Sequence, residues 1–146
     1  MNSNTTLTPT STSALALIGR LLIASIFLVS AFGKIAAPAG TIGYITAMGL
    51  PAPTLAFAAS LIIELGGGVL LVLGYRVRLA ATVLALFSVA SALIFHHALG
   101  DQNELFHFMK NLAMAGGLMQ VAAFGGGAFS IGRHPGRMGD AVSATR

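Results

Sequence analysis

The chain contains no cysteine, and only 8% of its 146 residues are charged. Without cysteine there is no disulfide, no thiolate nucleophile, no cysteine-held iron–sulfur cluster and no Cys-type zinc site. The scarcity of charge excludes more. A soluble domain carries about a quarter of its residues as Asp, Glu, Lys or Arg. A chain with 55% hydrophobic residues and four acidic ones could hardly keep a globular surface wet. No Lys or Arg precedes the first apolar stretch, so the start does not read as a signal peptide. No Ser stands beside a recognisable base, and no Lys-Ser/Thr follows the glycine triplets as a phosphate loop requires. The net charge of +4 therefore bears on topology, and no nucleic-acid partner is expected.

What is present is apolar sequence in lengths that cross a bilayer. Four segments stand out, roughly Ala14 to Phe32, Pro53 to Gly74, Leu79 to Leu99 and Leu105 to Phe124. Each has about 20 residues, enough to cross ~30 Å of hydrocarbon as a helix. In lipid the backbone must satisfy its own hydrogen bonds, which selects helices over open strands. The expected fold class is all-α, an integral-membrane four-helix bundle over residues 14–128. A disordered polar tail is expected over 1–13 and an irregular basic tail over 129–146. Pro53 is placed in the first turn of the second helix. The triplet Gly125 to Gly127 ends the fourth.

The basic residues fall on one side. With four spans, the tails and the second loop share a face that holds Arg76, Arg78, Arg133, Arg137 and Arg146. The positive-inside rule puts that face in the cytoplasm. The expectation is a multi-pass protein of the bacterial inner membrane with both termini cytoplasmic and the lipid bilayer as its main partner.

Charges inside the spans carry the functional signal. Arg20, Ala24, Phe27, Ala31 and Lys34 follow a 4, 3, 4, 3 spacing, one seam facing the bundle. Ser60, Glu64 and Gly68 lie four apart on the second helix. Ser88, Ala92 and His96 line up on the third, and His107, Lys110, Asn111 and Met114 on the fourth. Intramembrane charges face the interior and pair. Counted from the cytoplasmic ends, Arg20 and Glu64 differ in depth by only about 5 Å, so Arg20 is the expected partner of Glu64 and Lys110 the competitor. Such a pair could register the helices without doing chemistry. Gly66, Gly67, Gly68, Gly116 and Gly117 are expected to allow close helix packing.

The histidines raise haem and metal. His96 or His97 could face His107, but adjacent histidines point about 100° apart, so at most one of the pair faces inward. Interfacial histidines explain them as well, and haem is not expected. A zinc site is not expected either, since His107 is followed four residues on by Asn111, a poor ligand. No covalent cofactor is expected.

The blocks "RLLIASIFLVSAFGKI", "ELGGGVLLVLGYRVRLAA", "ALIFHH" and "FMKNLAMAGGLM" resemble the DoxX family of small four-helix inner-membrane proteins. The resemblance spans roughly Arg20 to Gly127. It implies a four-helix bundle in the bacterial plasma membrane and marks Arg20, Lys34, Glu64, Gly74, Arg78, His96, Lys110 and Asn111 as family-pattern positions. It departs from the family at "SAFGK" and in lacking an acidic residue after the last glycine-rich turn. Some members are linked to quinone-dependent sulfur oxidation, and others are described as redox-associated subunits. Two function classes follow. One is a membrane subunit or accessory of a quinone-linked oxidoreductase system, with a quinone and a redox partner protein as partners. The other is a non-catalytic scaffold or small-solute carrier. Under the first, Arg20, Lys34, Glu64, His96, Lys110 and Asn111 form a buried polar core able to bind a ligand or exchange protons.

Overall fold

The computed structural model describes residues 9–131. Five helices follow in order: α1 (Pro9–Ala36), α2 (Pro38–Ala47), α3 (Pro53–Leu73), α4 (Val77–Phe95) and α5 (Gln102–Phe124). The four long helices are those expected, and the first is longer than expected. It takes in Pro9 to Ser13, which the sequence reading assigned to the polar tail. The rest of that tail, residues 1–8, and residues 132–146 of the C-terminal tail lie outside the described residues.

Helix α2 is an addition to the four-helix expectation. Its ten residues, "PAGTIGYITA", fall in what reads as the first loop. Pro38 sits in its first turn, where a missing N–H costs nothing. Pro53 does the same for α3, as expected. Asp101 caps α5, its side chain accepting from the N–H groups of Asn103 and Glu104. Gly125 ends α5 with φ +82°, a left-handed backbone open to glycine.

The long helices form a ring in which α1 packs on α3, α3 on α4, α4 on α5, and α5 loosely back on α1. Down its centre run Ala24, Phe27, Leu71, Ala81, Leu84 and Leu118. The outside is just as apolar: Leu22, Val29, Ile62, Leu86 and Leu93 are all exposed. Helices that are apolar on every face have hydrocarbon as their solvent. The helices holding Thr10–Ala36, Pro53–Leu73 and Val77–Phe95 are long and apolar enough to cross a membrane. The chain is a helical membrane protein. Helix α5 has 23 residues, also enough to span, but it carries more polar side chains.

Candidate functional site

The antiparallel register of α1 against α3 decides which charges meet. Gly68 of α3 lies against Ala24 and Leu28 of α1. One turn up, Glu64 meets Ser30 and Lys34. The Lys34 Nζ donates to Glu64 Oε2 at 2.5 Å and to Ser30 Oγ at 3.0 Å, and Ser30 donates to Glu64 Oε1 at 3.1 Å. The side chains of Lys34 and Glu64 are 19% and 6% exposed. Glu64 is thus paired, but with Lys34 rather than Arg20 or Lys110.

The expected Arg20–Glu64 pair is corrected by the length of α1. Counting depth from Ala14 assumes that α1 and α3 end at the same level. Helix α1 instead runs from Pro9 well past the end of α3, so Arg20 lies only level with Gly74, where α3 ends. There the fully buried guanidinium holds the chain beyond α5. Nη1 donates to the Gly126 carbonyl at 2.7 Å and to Ser130 Oγ at 2.6 Å, and Nη2 to the Phe129 carbonyl at 2.9 Å. Its Nε is buried without a partner among the described residues. A side chain on Gly74 or Gly126 would run into this guanidinium. The family-pattern positions therefore divide. Arg20, Gly74 and Arg78, which approaches Gly125, gather at one end. The others gather in the opposite half.

That opposite half holds a cavity of about 470 Å³, walled by residues of all five helices. Its apolar lining includes Ile26, Phe27, Ile63, Phe87, Ile94 and Met114, and its polar lining includes Lys34, Glu64, His96, Lys110 and Asn111. Five of the six polar-core residues read from the sequence thus converge, and Arg20 stands apart. Asn111 is 8% exposed and donates Nδ2 to the His107 carbonyl at 3.1 Å.

At the top of α4 the helix stops at His96, whose Nδ1 lies 2.8 Å from Glu104 Oε2. The His96 and His107 rings stack with centroids 5.0 Å apart and planes at 20°. Lys110 Nζ lies 3.1 Å from His107 Nδ1. His97 turns away to the Ile94 carbonyl, so one of the adjacent histidines faces the cavity. Stacked rings do not suit trans ligation of a haem iron, which needs two nitrogens pointing at each other across the metal. Among the described residues no group of three His, Asp or Glu could hold a metal ion.

Ser30, Tyr44 and Glu104 join the site although they are not among the polar-core residues read from the sequence. Ser30 is signalled by its place one turn before Lys34. Glu104 is signalled by Asp101 three residues earlier, the spacing of a capping box, although its carboxylate turns to His96 instead of the cap. Tyr44 comes from α2, stacks on Phe95 at 5.6 Å and lines the cavity. Its hydroxyl is held above the usual tyrosine range, first by desolvation and then by the charge of Glu104.

The glycines divide as well. A Cβ on Gly67 would stand 2.7 Å from Leu84 Cγ, and one on Gly68 2.8 Å from Leu28 Cδ2. Gly117 approaches Ile23. Gly66 and Gly116 face open space, so the close packing expected of them is absent.

Comparison with known proteins agrees with this architecture. The DoxX family profile matches residues 15–97. Inner membrane protein YqjF of Escherichia coli K12 is 36% identical over 117 residues, covering 80% of this chain and 88% of that protein. Inner membrane protein YphA of the same organism is 32% identical over 124 residues, covering 82% and 89%. No solved structure matches the chain. With the family profile covering more than half of its length and two relatives matched over most of theirs, the chain belongs to the DoxX family.

Proposed function

We propose that this DoxX-family protein is a membrane subunit or accessory of a quinone-linked oxidoreductase system in the bacterial inner membrane, and that its cavity receives a quinone-like ring. The observation that carries this reading is the convergence of Lys34, Glu64, His96, Lys110 and Asn111 on one apolar-walled space. Apolar walls with a few convergent polar groups are the usual form of a small-molecule site, and this volume falls in the usual range. Lys110 offers N–H donors to a ring oxygen, and Asn111 keeps one N–H beyond the bond it makes to His107. The Lys34–Glu64 pair with Ser30 provides a hydrogen-bonded group through which a proton can move. An apolar ring can reach the space from the surrounding lipid.

The chain offers no cysteine for an iron–sulfur cluster, and its stacked histidines do not suit a haem. In this reading electrons come from a redox partner protein, and the chain supplies binding and proton handling.

The test is to purify the protein in a mild detergent, extract its lipid and measure quinone per chain against an unrelated four-helix membrane protein. Wild type is expected to carry roughly stoichiometric quinone and to melt higher when quinone is added, by mass action. Lys110→Met and Asn111→Leu are expected to lose both effects. A quinone content no higher than the reference, with no change in Tm, favours the alternative of a non-catalytic scaffold or small-solute carrier.

A further inference from the structure

At the cavity, His96 is paired with a carboxylate, Glu104, that the binding reading leaves unused. His96 Nδ1 and Glu104 Oε2 are 2.8 Å apart. The carboxylate is an acceptor, so the proton between them belongs to the imidazole. A neutral His96 is then the Nδ1–H tautomer, and Nε2 carries a lone pair. Among the described residues Nε2 has no partner, and His96 lines the cavity. Two further contacts restrain the group. The His107 ring stacks on His96, and Asp101 anchors the first turn of α5, which carries Glu104. A base oriented by a third group in this way is the general arrangement for accepting a proton.

We propose that Glu104 and His96 form a proton-accepting dyad that selects the reduced, hydroxyl-bearing form of the ligand. This rests on the ring-binding reading above. His96 touches the ligand, and Glu104 is the positioning residue. The ring hydroxyl donates to His96 Nε2. When the proton transfers, the oxygen–hydrogen bond breaks, an Nε2–H bond forms and the ring oxygen keeps the electron pair. The positive charge on His96 is then stabilised by Glu104. No electron is exchanged in this step. The oxidised form has carbonyl oxygens and nothing to donate, so it gains nothing from the dyad.

The titratable and charged groups around His96 are few. From α5 come Glu104, His107 and Lys110, from α2 comes Tyr44, and His97 follows on its own strand of chain. Across the cavity Lys34 and Glu64 are paired with each other. The anion nearest the His96 ring is Glu104, and the nearest group able to compete for its proton is His107.

The experiment uses the full chain in lipid nanodiscs and compares trimethylhydroquinone with trimethylbenzoquinone as binding probes. Wild type is expected to bind the hydroquinone more tightly, by about tenfold, the worth of one strong hydrogen bond at a buried site. Glu104→Gln and His96→Leu should each abolish the preference, and Glu104→Gln, which alters only the positioning residue, should leave quinone affinity within about twofold. Nitrogen chemical shifts of the His96 ring give a ligand-free check: wild type should show the Nδ1–H tautomer and Glu104→Gln should lose it. If both variants weaken the two probes equally, or the ring is the Nε2–H tautomer, the dyad is overturned while the cavity reading stands. If wild type binds neither probe, both fall together.

Discussion

Glu64 is 4% exposed and tolerates its charge because Lys34 and Ser30 occupy both carboxylate oxygens. Removing one partner from a buried ion pair costs about 3–5 kcal/mol, since the other charge is left uncompensated. Lys34→Met and Glu64→Gln should therefore each lower the Tm in detergent, and the double variant should melt above the worse single. Arg20 supplies a contrast. It is buried at the far end, on the carbonyls of Gly126 and Phe129, and shares no partner with Glu64. Arg20→Leu combined with Glu64→Gln should lose the two single effects added together. Additive loss for Lys34 with Glu64, or coupling for Arg20 with Glu64, would reverse this assignment of partners. The seam Arg20–Ala24–Phe27–Ala31 was readable in advance because 4, 3 spacing places residues on one face, and all four are buried. Which of the two cations on that face, Arg20 or Lys34, meets Glu64 was not readable, because that depends on how far α1 runs past the end of α3. The Thr and Ser residues before Ala14 look like a polar tail although they are helical from Pro9.

At the scale of elements, α3 is held by two glycines with different neighbours. Gly67 admits Leu84 of α4, which is fully buried at the centre of the core, and Gly68 admits Leu28 of α1. The Leu84 contact falls on its Cγ, so the side chain cannot swing clear of an added methyl. Gly67→Ala should then cost about 1–3 kcal/mol, the usual effect of overpacking. Gly66→Ala faces open space and should be neutral or stabilising by up to about 1 kcal/mol, from helix propensity alone. Thermal melts of the two neighbouring variants give the comparison, and equal losses would show that the glycines act through backbone freedom instead of packing. Sequence inspection could not separate them: Gly66, Gly67 and Gly68 are identical in type and 100° apart in direction, and only the neighbours distinguish them. Helix α2 was hidden for a related reason. Its ten residues include two glycines and no run of membrane-spanning length, so hydropathy registers a loop. The cavity is roofed partly by this element, through Tyr44 and Ile45. The polar side chains that line it were thus legible as stripes, while the enclosure they share was not.

At the scale of the whole molecule the open matter is whether α5 crosses the bilayer. It is long enough, but Glu104, Lys110 and several amides make it more polar than the three apolar helices. Its packing argues for a crossing. Its first turn meets His96 at the top of α4, and the chain after its last turn meets Arg20 and Gly74 at the other end. A helix running the full height of its neighbours, with its polar side chains turned into a shared cavity, spans whatever those neighbours span. If α5 crosses with the three apolar helices, four crossings return the chain to the side on which it began. Arg76, in the turn between α3 and α4, and Arg78, in the first turn of α4, would lie on that same side, which the positive-inside rule assigns to the cytoplasm. Arg133, Arg137 and Arg146 add to the count from outside the described residues. The absence of cysteine makes the test clean, because an introduced thiol has no background. Gly100→Cys, in the turn before α5, should react with a membrane-impermeant maleimide applied to intact cells. Tyr75→Cys, in the turn between α3 and α4, should react only after the membrane is opened, and a tag fused after Arg146 should behave like Tyr75→Cys. If the tag is instead reached from outside together with Gly100→Cys, α5 does not cross, the termini lie on opposite sides, and three spans replace four.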